Sequence, residues 1–470
     1  MDKNIDGTAG GVQIVGMDVG CEVPEFLQNI LGSFGMSRRE KGELIKDYLG
    51  ISNLRDVARV YKRYPVTFRM AISNALKDLS TRAKDLKKTY DQEGVPISYA
   101  LDDGEDTYED AVFGGEFELD GETVRAVIES TTPNMQGGMG HGGLFGGTYN
   151  LFSVYTRKEE GEFSSKIFEI VDGFIDTKNP LKGKIIDIDG NEVEFGDFDW
   201  KDIAVPDFFR TEAEDNMIWP ITHFSKIEAA GLRIPRGLIL EGTRGMGKTL
   251  LSRIIANKVK GSGTFIRAKP SDVQRLGWDY VFEIARTLEP CILYIEDIDT
   301  LTPSKQKLGG LIDSIGDPFL TDALDYIDGT EERGNVLILA STNVPDSVDL
   351  GMIDRPGRID RRLIFDPNNQ KDFGTEWKEK VFEIHLRGHK LDENLDASKL
   401  AVMIGDQPYT GSHINELIHT AKLEAIRSLN LEDVGVEAMG NIVLSEKNFR
   451  NARDRVERIL KRTFGTPEVF

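Results

Sequence analysis

The chain has 470 residues, 39% hydrophobic and 29% charged, the balance of a soluble globular protein long enough for roughly two to four domains. Its net charge of −21 argues against broad nucleic-acid binding, which needs a surplus of Lys and Arg against the phosphate backbone. Two cysteines, Cys21 and Cys291, make no disulfide framework; with no apolar run of about 18 residues and no basic-then-apolar leader, neither a membrane span nor a secretory signal is predicted, and the expected compartment is the cytoplasm.

In chain order, residues 1–20 are glycine-rich and 23–34 predict a short helix. Ser37 and Glu40 fit a capping box ahead of Leu44, Ile45 and Leu49. Asn53 predicts the cap of a further helix through Tyr61. Residues 67–90, with Met70, Ala71, Ala75, Leu76 and Leu79 on one face, predict a longer helix whose Lys84, Lys87 and Lys88 are solvated. Residues 1–95 are thus expected to be a helical region. The texture then changes. The alternating stretch 117–131 around Asp120-Gly121 predicts a hairpin, 149–156 a strand and 164–174 a helix. Residues 184–188 and 193–195 around Asp189-Gly190 predict a second hairpin. Residues 96–197 are therefore expected to form a small α/β or β-rich domain. Within it, Gly138 to Gly143 formally match G-x-G-x-x-G, but no helical pattern follows, so a loop is expected there.

From about Phe198 strands alternate with helices, the pattern of an α/β doubly wound parallel sheet. Gly242-Thr243-Arg244-Gly245-Met246-Gly247-Lys248-Thr249 satisfies G-x-x-x-x-G-K-[ST], between the apolar run 237–240 and a helical pattern opening at Leu250. Glycines let backbone N–H groups approach phosphate oxygens, and the helix start adds roughly half a positive charge. Lys248 can then reach the β and γ phosphates and Thr249 can ligate Mg²⁺. The apolar strand 291–295 ends in Glu296-Asp297-Ile298-Asp299, acids at the edge where open α/β sheets bind ligands. One carboxylate there can serve Mg²⁺ and the next can orient the attacking water. A second apolar strand, 336–340, ends in Ser341-Thr342-Asn343, with Asn343 aimed at the γ phosphate or that water. Asp354-Arg-Pro-Gly-Arg358-Ile-Asp360-Arg361-Arg362 supplies a basic cluster suited to an arginine finger.

Together these segments resemble ATPases of the AAA branch of the AAA+ superfamily, over roughly residues 198–462. The lead-in from Gly231, the segment 324–329, sensor 1 at Ser341-Thr342-Asn343 and the second region of homology at 355–361 all resemble family motifs. The resemblance implies a P-loop core over 198–371, a C-terminal helical lid over 372–470, and ATP with Mg²⁺ as cofactors. It places Asp202, Ile203 and Ala204 near adenine, His385 near the nucleoside and Gly411-Ser412 near the base. Thr249 and Glu296 fall at Mg²⁺, Asp297 at the water, and Arg358 with Arg361 at the finger positions that act on a neighbouring subunit's ATP. It also implies a homo-oligomeric ring, six subunits being favoured over seven, acting on a protein partner recognised by residues 1–197.

The chain departs from the family in two places. The acidic pair reads Glu-Asp where Asp-Glu is usual, which raises slow or absent hydrolysis, an ATP-binding scaffold, as the alternative. The same order occurs in the AAA subgroup that includes the mitochondrial Rieske-protein translocase, which this chain also resembles in placing a small domain directly before the module. Residues 271–277 are shorter than the family's aromatic pore loop, leaving Trp278 and Tyr280 open as core or pore residues. A P-loop GTPase or kinase is disfavoured by the absence of N-K-x-D, and a nucleic-acid motor by charge. His385 and His389 stand four apart, a metal-ligand spacing, but no third ligand accompanies them, so a structural or nucleotide-adjacent role is expected.

Overall fold

The computed structural model describes residues 13–16, 45–88, 111–131, 149–232, 237–301, 335–343, 361–429 and 442–464. The chain divides into two compact units, residues 1–182 and 183–470.

The first unit contains β1 (Gln13–Gly16), β2 (Val57–Pro65), α1 (Arg69–Arg82), β3 (Ala83–Lys88), β4 (Ala111–Leu119), β5 (Glu122–Thr131), β6 (Tyr149–Arg157) and α2 (Phe163–Asp176). Its strands form one antiparallel sheet in the order β1-β2-β6-β5-β4-β3. The β4–β5 hairpin turns at Asp120 and Gly121, with φ of 51° and 80°, the left-handed pair that a tight two-residue turn requires. On one face Val60, Ile128, Phe152 and Val154 are buried, as are Ile72, Leu76 and Leu79 of α1 and Ile167, Phe168 and Val171 of α2. Asp172 of α2 binds back to β2, accepting from Lys62 Nζ at 2.7 Å and Tyr64 OH at 2.9 Å. On the other face Tyr155 packs with Val57, Val127, Ile45 and Leu49, and its hydroxyl donates to buried Glu129 at 2.6 Å.

Three expectations for this half are corrected. Asn53 does cap, accepting from Arg55 N, but only the short turn Leu54–Asp56; the chain then runs as β2. Val57, Val60, Tyr61 and Tyr64 are β-branched or aromatic residues that favour the pleated surface. The predicted long helix stops at Arg82, and residues 83–88 become an edge strand on β4, with a bulge between Lys84 and Lys87 where Asp85 has φ 52°. Long-range pairing overrides the helical propensity of Lys and Leu there. A boundary at 95/96 would cut this sheet, so 1–95 is not a separate helical region. The stretches 23–34, 37–40 and 137–147 lie outside the described residues.

The second unit begins with β7 (Ile185–Asp187), followed by β8 (Gly237–Gly242), α3 (Lys248–Val259), β9 (Thr264–Ala268), α4 (Trp278–Thr287), β10 (Cys291–Ile295), β11 (Val336–Thr342) and β12 (Arg361–Phe365). These strands form a wholly parallel sheet in the order β12-β8-β11-β10-β9-β7. Every residue of β8, β10 and β11 is buried, as in a sheet covered on both faces. α3 buries Leu251, Ile254, Ile255 and Val259, one face at helical spacing, each contributing about 1.5–3 kcal/mol. Residues 184–195 do turn back on themselves about Asp189-Gly190: Val193 N donates to Ile185 O and Asp187 N to Asn191 O, both at 2.9 Å, around an antiparallel Ile186–Glu192 bridge. The turn does not belong to the preceding domain, because β7 pairs with β9, so the expected boundary at 197/198 moves to 182/183.

Pro270–Leu276 is a short helix, and Trp278 and Tyr280 at the start of α4 are buried, which makes them core residues. After the sheet come α5 (Thr375–His385), α6 (Ala397–Ile404), α7 (Gly411–Arg427) and α8 (Glu446–Phe464). α5 packs on α6 and α7, and α7 on α8. Phe365 of β12 meets Phe209 at 4.9 Å and Phe373 at 6.2 Å, joining the sheet edge to this helical segment.

Candidate functional site

The carboxyl end of β8 turns sharply into α3. Gly242, Gly245 and Gly247 hold φ of 128°, 79° and 104°. Gly242 also lies against the neighbouring strand: a Cβ there would stand 2.2 Å from the Phe365 carbonyl oxygen. Thr243 N donates to that same oxygen at 3.0 Å. Lys248, the first residue of α3, is buried, and its Nζ donates back to Gly242 O at 2.6 Å and Thr243 O at 2.9 Å. Burial is the main reason its pKa falls to about 8; Arg244 lowers it further, while Asp297 and Asp299 oppose the fall. The ammonium is thus held ready beneath a loop of backbone N–H groups.

β10 and β11 bring the acidic and polar residues to the same edge. Asp297 has φ 43° and ψ 52°, and its Oδ1 accepts from Asn343 Nδ2 at 2.7 Å. Asp299 Oδ1 accepts from Thr342 Oγ1 at 2.8 Å and Asn343 N at 3.3 Å, and Asp297 N donates to Ser341 Oγ at 3.3 Å. Glu296 turns elsewhere. Its Oε2 takes Arg267 Nε of β9 at 3.1 Å, and it is not among the residues lining the cleft. This departs from the expectation that Glu296 faces Mg²⁺. Arg267 pairs with Tyr294 in the β9–β10 register, so Glu296, two residues on, shares its face of the sheet.

A cleft of about 440 Å³ lies over this edge. Its floor is Arg244, Gly245, Met246, Gly247, Lys248, Thr249 and Leu250, with Asp297 and Asn343 at one side. Asp202, Ile203 and Ala204 line another side, with His385, Gly411 and Ser412 of the helical segment. Trp377 Nε1 donates to Ala204 O at 2.8 Å and Arg387 Nη1 to Asp202 at 2.7 Å, fastening residues 202–204 to α5 and to the turn that follows it. Burial lowers the His385 pKa, so the neutral imidazole faces the cleft at pH 7. α7 starts against the loop: Ser412 N donates to Gly245 O at 3.1 Å, and Thr410 and His413 cap each other reciprocally. Backbone donors at a glycine loop, a buried cation and a carboxylate–carboxamide pair, beside an apolar wall, suit a nucleoside triphosphate and its divalent cation.

Residues 238–367 match the family described as "ATPase family associated with various cellular activities (AAA)". The chain carries an AAA ATPase domain. Over 276 residues it is 30% identical to the Cell division cycle protein 48 homolog of Archaeoglobus fulgidus, covering 56% of this chain and 36% of that protein. It is 31% identical over 268 residues to the ATP-dependent zinc metalloprotease FtsH 1 of Conexibacter woesei, covering 54% and 38%. The 26S proteasome regulatory subunit 4 homolog of Saccharomyces cerevisiae is 28% identical over 252 residues, covering 52% and 53%. The chain thus spans between about a third and a half of the length of these relatives.

Within the AAA domain, Arg361 opens β12 half-exposed, its Nε 3.9 Å from Glu212, and does not line the cleft. Arg358 and the segments 302–334 and 344–360 lie outside the described residues. Sequence reasoning missed Trp377, Val381, Ile384 and Asn415, which complete the cleft wall. Trp377, Val381 and Ile384 recur at helical spacing with His385, a signal that was available. The loop geometry makes a direct prediction. Gly242→Ala should destabilise the protein by about 2 kcal/mol or more, since both φ and the Phe365 carbonyl oppose a Cβ. Gly173→Ala, at an open position in α2, should be neutral or slightly stabilising. Denaturant unfolding of the two variants checks this; equal effects would contradict it.

Proposed function

We propose that this chain is a Mg²⁺-dependent ATPase that acts in a ring of identical subunits to remodel or translocate a protein partner. The observation that carries the proposal is the convergence of Lys248, Asp297 and Asn343 on one cleft behind a glycine loop. Lys248 and the loop amides bind the phosphates, and Thr249 with Asp297 faces the cation. Mg²⁺, when bound, neutralises charge on the phosphates. Asp297 orients the attacking water, and Asn343 holds the Asp297 carboxylate and senses the γ phosphate. Glu296 joins the cation only by giving up Arg267. Residues 202–204, His385 and Gly411-Ser412 surround the nucleoside. Residues 372–470 act as the lid, and Arg358 and Arg361 reach a neighbour's nucleotide. The ring is taken as six subunits, with the first unit recognising the partner. The names of the protease and proteasome relatives support a protein substrate. The Glu296-Asp297 order supports kinship with the Rieske-protein translocase subgroup.

Phosphate release is expected to require Mg²⁺ and to exceed a Lys248→Ala control. Arg358→Ala and Arg361→Ala should keep nucleotide binding and lose turnover on the order of 10³-fold, the scale of a lost arginine finger. Mixing inactive Arg361→Ala with inactive Lys248→Ala subunits should restore partial activity, because each supplies what its neighbour lacks. Full turnover in a strictly monomeric preparation would overturn the shared site. The Arg267–Glu296 pair favours one second reading, a slow or non-catalytic ATP-binding scaffold. Nucleotide binding without phosphate release above the control would select it.

A further inference from the structure

Asp299 is the third acid after β10, and the AAA reading above gives it no work. It does not line the cleft. Its carboxylate instead reaches across to the end of β11, where Oδ1 accepts from the side chain of fully buried Thr342 and from the backbone N–H of Asn343. Both donors lie immediately before the Cα from which the Asn343 side chain departs. The carboxamide then donates to Asp297 Oδ1 at 2.7 Å, and Asp297 N returns to Ser341 Oγ. The turn 297–299 and the strand end 341–343 are thereby closed into a ring of hydrogen bonds. Two of its bonds end on Asp299. Asp297 sits in the left-handed region two residues beyond Ile295, the last residue of its strand, so it stands outside the ladder of β10. Its orientation depends on Asn343, and that of Asn343 depends on Asp299.

We infer that Asp299 is a positioning residue: it fixes Asn343, and through Asn343 the carboxylate of Asp297 that works on the attacking water. The inference rests on the ATPase reading for its effect on turnover but not for its effect on geometry. A hydrogen bond to an ionised acceptor is the stronger kind, and a misplacement of about 1 Å at a reacting group costs on the order of a hundredfold in rate. Asp299→Ala should therefore lower kcat on the order of tenfold to a hundredfold while leaving KM and nucleotide affinity within about twofold. Asp299→Asn, which keeps an acceptor oxygen for Thr342, should retain most of the turnover. Thr342→Val should fall between wild type and Asp299→Ala.

Two measurements on the full chain decide it. The first is kinetic. In an Asn343→Ala background, Asp299→Ala should cost no further turnover, because the residue it acts through is gone. The same fold loss in both backgrounds, or a loss in nucleotide affinity in place of kcat, would overturn the inference. The second is a crystal structure of nucleotide-free Asp299→Ala, in which the Asn343 carboxamide should leave Asp297. A retained 2.7 Å contact overturns the inference whatever the turnover. Wild-type phosphate release against Lys248→Ala tests the ATPase reading separately, so failure of one is distinct from failure of the other.

Discussion

Lys248→Ala should weaken ATP binding by roughly a hundredfold or more, about 3 kcal/mol, and bring phosphate release to background. The ammonium is buried and donates to the carbonyls of Gly242 and Thr243, so it is already in place when phosphate arrives. Its removal leaves the phosphates without their nearest cation and those carbonyls without a donor. The lowered pKa adds a pH signature. Without nucleotide, burial holds Lys248 at about 8, against an ordinary value of 10.5. Between these values the unfolded chain binds more protons than the folded one, so this residue makes stability rise with pH across that window. Below about 8 both states are protonated, and the buried charge opposes folding to its full extent. ATP needs the charged form. Wild-type affinity should be flat below about pH 8 and weaken above it by up to about tenfold per unit. Lys248→Arg, charged throughout, should show no such break. Fluorescent-nucleotide titration at pH 7 and pH 9 reads both effects. A flat wild-type profile, or unaltered affinity in Lys248→Ala, would contradict the role given to this residue.

The parts of the site legible in the sequence are those written locally. In 242–249 every requirement, from the glycines to the lysine at the helix start, lies within eight consecutive residues. The ends of β10 and β11 were legible because continuous apolar runs mark buried parallel strands and whatever follows them sits at the binding edge. What could not be read depends on register between distant segments. Arg267 captures Glu296 only because β9 and β10 pair with Arg267 opposite Tyr294. Residues 83–88 carry a helical composition and become a strand because β4, beyond a long insertion, offers them an edge. β7 belongs to the second unit because it pairs with β9, although its own stretch, 184–195, reads as a hairpin. Trp278 and Tyr280 show the same limit, since an aromatic after a loop reads alike whether it enters a core or a pore.

Asp297→Asn should reduce turnover on the order of a hundredfold to a thousandfold while keeping ATP bound. The substitution is a fair test because the backbone at 297 is left-handed, where Asp and Asn are the side chains best tolerated after glycine. The fold is therefore kept, and Asn can still offer an oxygen to Asn343. Only the negative charge, to which we assign the attacking water, is lost. The same backbone accounts for the Glu-Asp order. A glutamate at 297 would carry a longer side chain at φ 43° and extend its carboxylate by about 1.5 Å past Asn343. Asp297→Glu, which installs the family's usual residue, should therefore lower both stability and turnover. Glu296→Gln should be mild, within about fivefold, because it weakens a partly exposed ion pair to Arg267 worth under about 1 kcal/mol and removes nothing from the cleft wall. Steady-state phosphate release from the three variants separates the two acids. Loss of turnover in Glu296→Gln with sparing in Asp297→Asn would transfer the catalytic role to Glu296 and require the Arg267 pair to open when ATP binds.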